Sequence, residues 1–179
     1  MSEIIKIAFL GPESTGKTTL CRFVAEHYHT TWVPEYAREY VVNLKRKYTL
    51  DDVLHCAKEQ LRSEDELIKN AQRFLFCDTE LINFKVWCED VFKEVPQWIT
   101  QRITEHHYDL YLLTYHDLPF EEDVVRENPF RREFFFEWYK KELESYRFRY
   151  EIIKGKGEER RTAVLAAIEK HFPGVIPFI

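Results

Sequence analysis

The sequence predicts an α/β fold, a five-stranded parallel sheet with helices on both faces. Three observations carry this. Five short apolar runs recur along the 179 residues, and each is followed by a stretch whose apolar residues fall at helical spacing. The runs are unbroken rather than alternating, as strands of a parallel sheet covered on both faces must be. No internal repeat or flexible linker interrupts the order, so residues 1–179 are expected to form one domain.

The first run, residues 4–10 (Ile-Ile-Lys-Ile-Ala-Phe-Leu), stops at Gly11 and reads as a buried strand. Leu20, Phe23, Val24 and His27 then fall at helical spacing within residues 18–28. Residues 30–33 read as a second strand halted by Pro34, with a helix over 35–45. Residues 50–72 show a clear helical period through Leu50, Val53, Leu54, Ala57, Leu61, Ile68 and Ala71. Asp51 and Asp52 at its start suit the positive end of a helix dipole. Residues 74–77 form the third strand and end on Asp78; helices follow over 80–93, closed by Pro96, and over 97–106. Residues 110–113 are the fourth strand. The polar segment from Asp117, bounded by Pro119 and Pro129, reads as a loop or lid over about 117–132. A helix over 130–146 is expected to bury a stripe of Phe130, Phe134 and Trp138. Residues 148–153 are the fifth strand, and 158–171 the last helix, packed through Val164, Leu165, Ile168 and Phe172.

Composition narrows the function. Hydrophobic residues make up 45% and aromatics 16%, which excludes a disordered or low-complexity chain. The formal charge of −5 disfavours a nucleic-acid partner, since that wants a basic face. No apolar run reaches the roughly 18 residues of a membrane span, so no membrane partner is expected. Cys21, Cys56, Cys77 and Cys88 form no CxxC pair, and no charged-then-apolar leader opens the sequence. A cytoplasmic protein with reduced thiols is expected. Seven histidines include no HExxH pattern, so a histidine-built metal site is not expected.

Only five residues are glycine, and two of them fall in one motif. Residues 11–18, Gly-Pro-Glu-Ser-Thr-Gly-Lys-Thr, fit G-x-x-x-x-G-K-[ST], the phosphate-binding loop, placed between a buried strand and a helix. Gly11 and Gly16 let the chain curl so that backbone N–H groups of Glu13, Ser14, Thr15 and the residues through Thr19 face phosphate oxygens. Lys17 reaches the outer phosphates of ATP, and Thr18 supplies a hydroxyl to Mg2+. The motif specifies a P-loop NTPase/kinase fold. Asp78, at the carboxyl end of the third strand, stands where a second metal-side carboxylate belongs, with Thr79 beside it. A GTPase would carry an N-K-x-D base-reading motif, and none occurs. Arg126, Arg131 and Arg132 in the lid can neutralise charge on the transferring phosphoryl group. The acceptor, a small-molecule nucleoside, is expected over the second and third strands, beside Glu35, Tyr36, Arg38 and Glu39, with Trp87 as a further candidate. Gly155 and Gly157, with Lys156 between them, are expected against the nucleotide base. The alternatives are a kinase for another nucleoside and a regulatory ATP-binding module with slow ATPase activity. The choice of ATP or GTP, the oligomeric state, and whether Asp78 or Glu35 accepts the proton all stay open.

Residues 11–20 (Gly-Pro-Glu-Ser-Thr-Gly-Lys-Thr-Thr-Leu), 35–41 (Glu-Tyr-Ala-Arg-Glu-Tyr-Val), Asp78-Thr79 and the lid together resemble the NadR-type ribosylnicotinamide kinase module. The resemblance runs over nearly the whole chain in the same order, and its second motif is the more specific. It implies transfer of the ATP γ-phosphate to the 5′-hydroxyl of nicotinamide riboside, giving nicotinamide mononucleotide. It implies Lys17 and Thr18 at the phosphates and Mg2+, and Asp78 near the metal or as the base. Glu35, Arg38 and Glu39 would surround the acceptor, and Arg126 would be the lid arginine. The lid departs from the pattern Trp-x-x-Asp-Gly-x-Arg, with Phe120, Asp123, Val124, Val125 and Arg126 in its place.

Overall fold

The computed structural model describes residues 4–106, 108–122 and 128–174. Five strands, β1 (Ile5–Leu10), β2 (Trp32–Val33), β3 (Phe74–Asp78), β4 (Leu110–Thr114) and β5 (Tyr150–Ile153), form one sheet in the order β2-β3-β1-β4-β5. Every neighbouring pair is parallel. The three central strands β3, β1 and β4 supply the longest apolar runs, and β3 and β4 are buried along their whole length. Only a strand covered on both faces needs that composition.

The pleat divides these strands between two cores. Ile7, Phe9, Phe74 and Phe76 face α1 (Lys17–His27) and α7 (Gly157–His171), meeting Leu20, Val24, Val164 and Ile168. Ala8, Leu10, Leu75 and Cys77 face the opposite way. There they meet α2 (Tyr36–Asn43), α3 (Leu50–Leu67), α4 (Leu81–Phe92), α5 (Gln97–Glu105) and α6 (Arg132–Ser145). Thr49 starts α3 with a capping box, its hydroxyl and the Asp52 carboxylate satisfying each other's backbone N–H groups. Because α1 leaves β1 for one face and α4 leaves β3 for the other, a crevice opens at the carboxyl ends of these strands.

Three expectations need correction. The expected stripe on α6 is out of phase: Phe130 is 97% exposed and Phe134 53%, while Phe135, Phe136, Tyr139 and Leu143 are buried. The helix begins at Arg132 rather than 130, and its buried face follows from the β4 strand it crosses, not from the largest side chains. The helix over 50–72 ends at Leu67 and closes with a 3-10 turn over Ile68–Asn70. The fifth strand begins at Tyr150, because Arg147 adopts φ +58 and turns the chain before it. Periodicity also missed Gln60 and Glu64, polar but buried on the inner face of α3. Glu64 accepts from Tyr108 Oη at 2.6 Å and meets His106 Nε2 at 3.0 Å. All four cysteines are free and buried. Among the described residues no helix is long and apolar enough to cross a membrane.

Candidate active site

Residues 11–18 leave the buried end of β1 and wrap the N-terminus of α1. Gly11, Ser14 and Gly16 have φ of +148°, +55° and +78°. Residues of positive φ between right-handed ones turn successive N–H groups to one side, which makes an anion nest at the positive end of the helix. Lys17 Nζ donates to the carbonyls of Gly11 and Pro12, each at 2.8 Å, and so holds its ammonium inside the curl. Thr15 Oγ1 donates to Pro12 O at 2.8 Å and lies 2.6 Å from Thr114 Oγ1, which fastens the loop to the end of β4. A Cβ on Gly11 would sit 2.8 Å from Thr114 O at a φ that L side chains rarely adopt. Gly11→Ala is therefore expected to cost about 3 kcal/mol, from overpacking and backbone strain together. Thermal denaturation checks this; a melting temperature equal to the parent's would mean the loop and β4 are not in rigid contact.

Asp78 ends β3 beside this loop, fully buried. Its Oδ2 accepts from Thr18 Oγ1 at 2.6 Å, while Oδ1 is buried without a hydrogen-bond partner among the described residues. Burial pushes the Asp78 pKa up, against the pull of the Thr18 hydroxyl, Lys17 and Arg38. Glu35 follows β2 and Pro34 and occupies the N-cap of α2. Burial raises its pKa as well, the Asp78 charge adds to the rise, and Lys17 and Arg38 oppose it. Two carboxylates and two cations thus meet where β1, β2 and β3 end.

Lys17, Glu35 and Arg38 line a cleft of about 730 Å³, and Asp78 lies buried outside its lining, against Thr18 of that lining. One end is walled by α4, which presents Asn83, Val86, Trp87, Asp90 and Val91, with Tyr48, Phe135 and Tyr139 also lining the cleft. Arg131 closes that end, its guanidinium bidentate to Asp90 at 2.6 and 2.9 Å and lying over the rings of Phe134 and Phe135. Gly157, Arg160 and Arg161 of α7 also line the cleft. The described chain on either side of residues 123–127 is tied to the phosphate loop. Ser14 Oγ donates to Glu121 O and accepts from Glu121 N, and Glu13 Oε2 accepts from Asn128 N at 3.0 Å.

A family model described as an AAA domain, AAA_28, matches residues 6–160. The chain belongs to this family. Relatives of the chain include the trifunctional NAD biosynthesis/regulator protein NadR of Salmonella typhimurium and of Escherichia coli. Each is 28% identical over 126 residues, which is 67% of this chain and 30% of the relative. The chain thus spans about a third of the length of these curated relatives. Crystal structures of NadR in complex with NR, and with NAD and AMP-PNP, superpose with a TM-score of 0.79 at 20% and 21% identity. They cover 94% of this chain and about half of theirs. Deoxyadenosine kinase from M. mycoides gives a TM-score of 0.60 at 13% identity, over 93% of this chain and all of that one. The AAA_28 chain therefore has a P-loop kinase fold.

Within this AAA_28 site, the residues expected from sequence separate into groups. Gly11 through Thr19, with Glu13, Ser14 and Thr15, line the cleft together with Glu35, Arg38 and Trp87. Tyr36 and Glu39 do not: with Tyr40 they line a separate depression on the outer side of α2. Because the helix starts at Tyr36, Arg38 and Val41 share its cleft side and Glu39 is turned to solvent. Lys156 is also misplaced: it is the exposed N-cap of α7, and Gly157, Arg160 and Arg161 line the cleft instead. Arg131 lines the cleft, but at the Trp87 end and paired with Asp90 rather than beside the phosphate loop. Arg132 donates to Leu118 O at 2.7 Å and so ties the start of α6 to the segment after β4. Arg126, the expected lid arginine, lies outside the described residues. Arg160 and Asn83 were not legible; a polar residue within a helix gives no signal of facing inward.

Proposed function

We propose that the protein is an ATP- and Mg2+-dependent kinase that phosphorylates the 5′-hydroxyl of nicotinamide riboside to give nicotinamide mononucleotide. The carrying observation is one continuous cleft. It joins a phosphate loop to an aromatic-walled end, with Glu35 and Arg38 between them and Asp78 buried behind Thr18. The likeness to NadR, crystallised with NR and with AMP-PNP, supports nicotinamide riboside and ATP as the two occupants. The charge of −5 and the four free cysteines support a cytoplasmic role without a nucleic-acid partner, with residues 1–179 acting as one kinase domain.

The donor set fits Mg2+. Asp78 Oδ1 is a buried acceptor without a partner among the described residues, Thr18 Oγ1 lies against the same carboxylate, and both are hard oxygens. No cluster of three carboxylate, histidine or cysteine ligands occurs among the described residues, as suits an ion that arrives largely on nucleotide phosphates. When bound, it would neutralise phosphate charge. The chain's own groups do the rest. The loop N–H groups and Lys17 hold the phosphates, and the transfer relies mainly on positioning and charge stabilisation. Asp78 is engaged by Thr18, so Glu35 takes the proton of the acceptor hydroxyl.

The test is to mix protein, Mg-ATP and a panel of nucleosides and to follow ADP release and product mass. Product mass from nicotinamide riboside is expected; ADP release that no acceptor stimulates would overturn the reading. Glu35 must be ionised to act, and its raised pKa moves the acid limb of kcat/KM above the ordinary glutamate range. Activity should rise with pH through that limb. Glu35→Gln is expected to lower kcat about a hundredfold and abolish the limb. A limb that persists in the variant would assign it to Asp78.

A further inference from the structure

Arg160 is a buried charge with no part in the chemistry described so far. It sits in the first turn of α7, 3% exposed, and its guanidinium ties three segments of chain together. Nη2 donates to Thr15 O at 2.9 Å and to Tyr115 O at 2.8 Å. Nη1 donates to Gly155 O at 2.8 Å and to Asp117 Oδ1 at 2.5 Å. Asp117 Oδ2 in turn accepts from Gly155 N at 2.7 Å. Both Asp117 oxygens and the loops after β4 and β5 are therefore locked to the phosphate loop through one side chain.

The bond to Thr15 O carries the consequence. No peptide in the described chain is cis, and a trans peptide directs its C=O and N–H to opposite sides. A guanidinium that holds the Thr15 carbonyl on the α7 side turns the N–H of Gly16 the other way, into the curl that holds Lys17 Nζ. The charge also polarises that peptide, which makes its N–H a stronger donor. We propose that Arg160 is a positioning residue for phosphoryl transfer. It orients and strengthens the Gly16 N–H toward the β- and γ-phosphates, and it couples the loops after β4 and β5 to that donor.

This inference rests on the nucleotide reading above, and its test separates the two. Bind ADP, AMP and adenosine to the parent protein and to Arg160→Lys by calorimetry. The lysine keeps the charge and a link to Asp117 but cannot span four acceptors. The parent is expected to favour ADP over AMP and adenosine strongly. Arg160→Lys is expected to lose about ten- to a hundredfold of that preference, the worth of a charge-assisted contact. A parent that binds none of the three would overturn the nucleotide site itself. A variant that keeps the full ADP preference would overturn the role of Arg160 alone.

Selective 15N-glycine labelling gives a second readout at the donor itself, and with only five glycines in the chain its resonance is readily assigned. The Gly16 amide proton is expected to move upfield in Arg160→Lys while Gly174 stays in place. An unmoved Gly16 resonance would also overturn the proposal.

Discussion

Lys17→Ala is expected to lower kcat about a thousandfold, the upper range for removing one preorganised charge from a transferring group. The melting temperature should stay within a few degrees, because the ammonium sits within the phosphate loop and donates to two of the loop's own carbonyls. The loss has two physical parts. The charge that would meet the outer phosphates is gone. The same charge also restrains the pKa rise of both Glu35 and Asp78. Without it, both carboxylates hold protons to higher pH, and the acid limb of the remaining activity should move up. Steady-state kinetics over a pH series checks both parts. A variant as active as the parent would end the phosphate-loop mechanism. A thousandfold loss with an unmoved acid limb would mean that neither carboxylate is the base.

Asp78→Asn is expected to move activity and stability in opposite directions. Turnover should fall about a hundred- to a thousandfold, because asparagine keeps the Thr18 hydrogen bond but not the charge. ATP binding, carried mainly by the loop, should fall far less. Stability at neutral pH should rise. Burial raises the folded pKa of Asp78 above its unfolded value. The folded state therefore binds more protons over that window, and stability is lost as pH rises through it. Asparagine removes that cost. A higher melting temperature in the slower enzyme would mark Asp78 as a residue whose charge is kept for chemistry. A variant that is both slow and unstable would instead assign Asp78 to the scaffold.

The parts of the site that were legible in sequence share one property: their geometry is local. Residues 11–18 contain their own turn, their lysine and their hydroxyl, and the strand before them and the helix after them fix the rest. Asp78 was legible because an apolar strand that ends on a carboxylate delivers it to the carboxyl edge of a parallel sheet. Glu35 and Arg38 were legible for the same reason, one strand over. The neighbouring Tyr36 and Glu39 were misread because one residue of helix phase decides which side faces the cleft. That phase is set by Pro34 and the packing of Ala37, not by charge.

The sequence alone determined the order of strands and helices, the parallel sheet and the identity of the phosphate loop, since hydrophobic periodicity and a short motif are properties of neighbouring residues. The tertiary structure alone decided which polar residues turn inward. Arg160 reaches Thr15 across 145 positions, Glu13 reaches Asn128 across 115, and Arg131 reaches Asp90 across 41. Such pairs form because the sheet order β2-β3-β1-β4-β5 brings the carboxyl ends of the strands to one edge. There, burial makes every unpaired charge costly, and a guanidinium or carboxylate is stable only where several distant chains meet it.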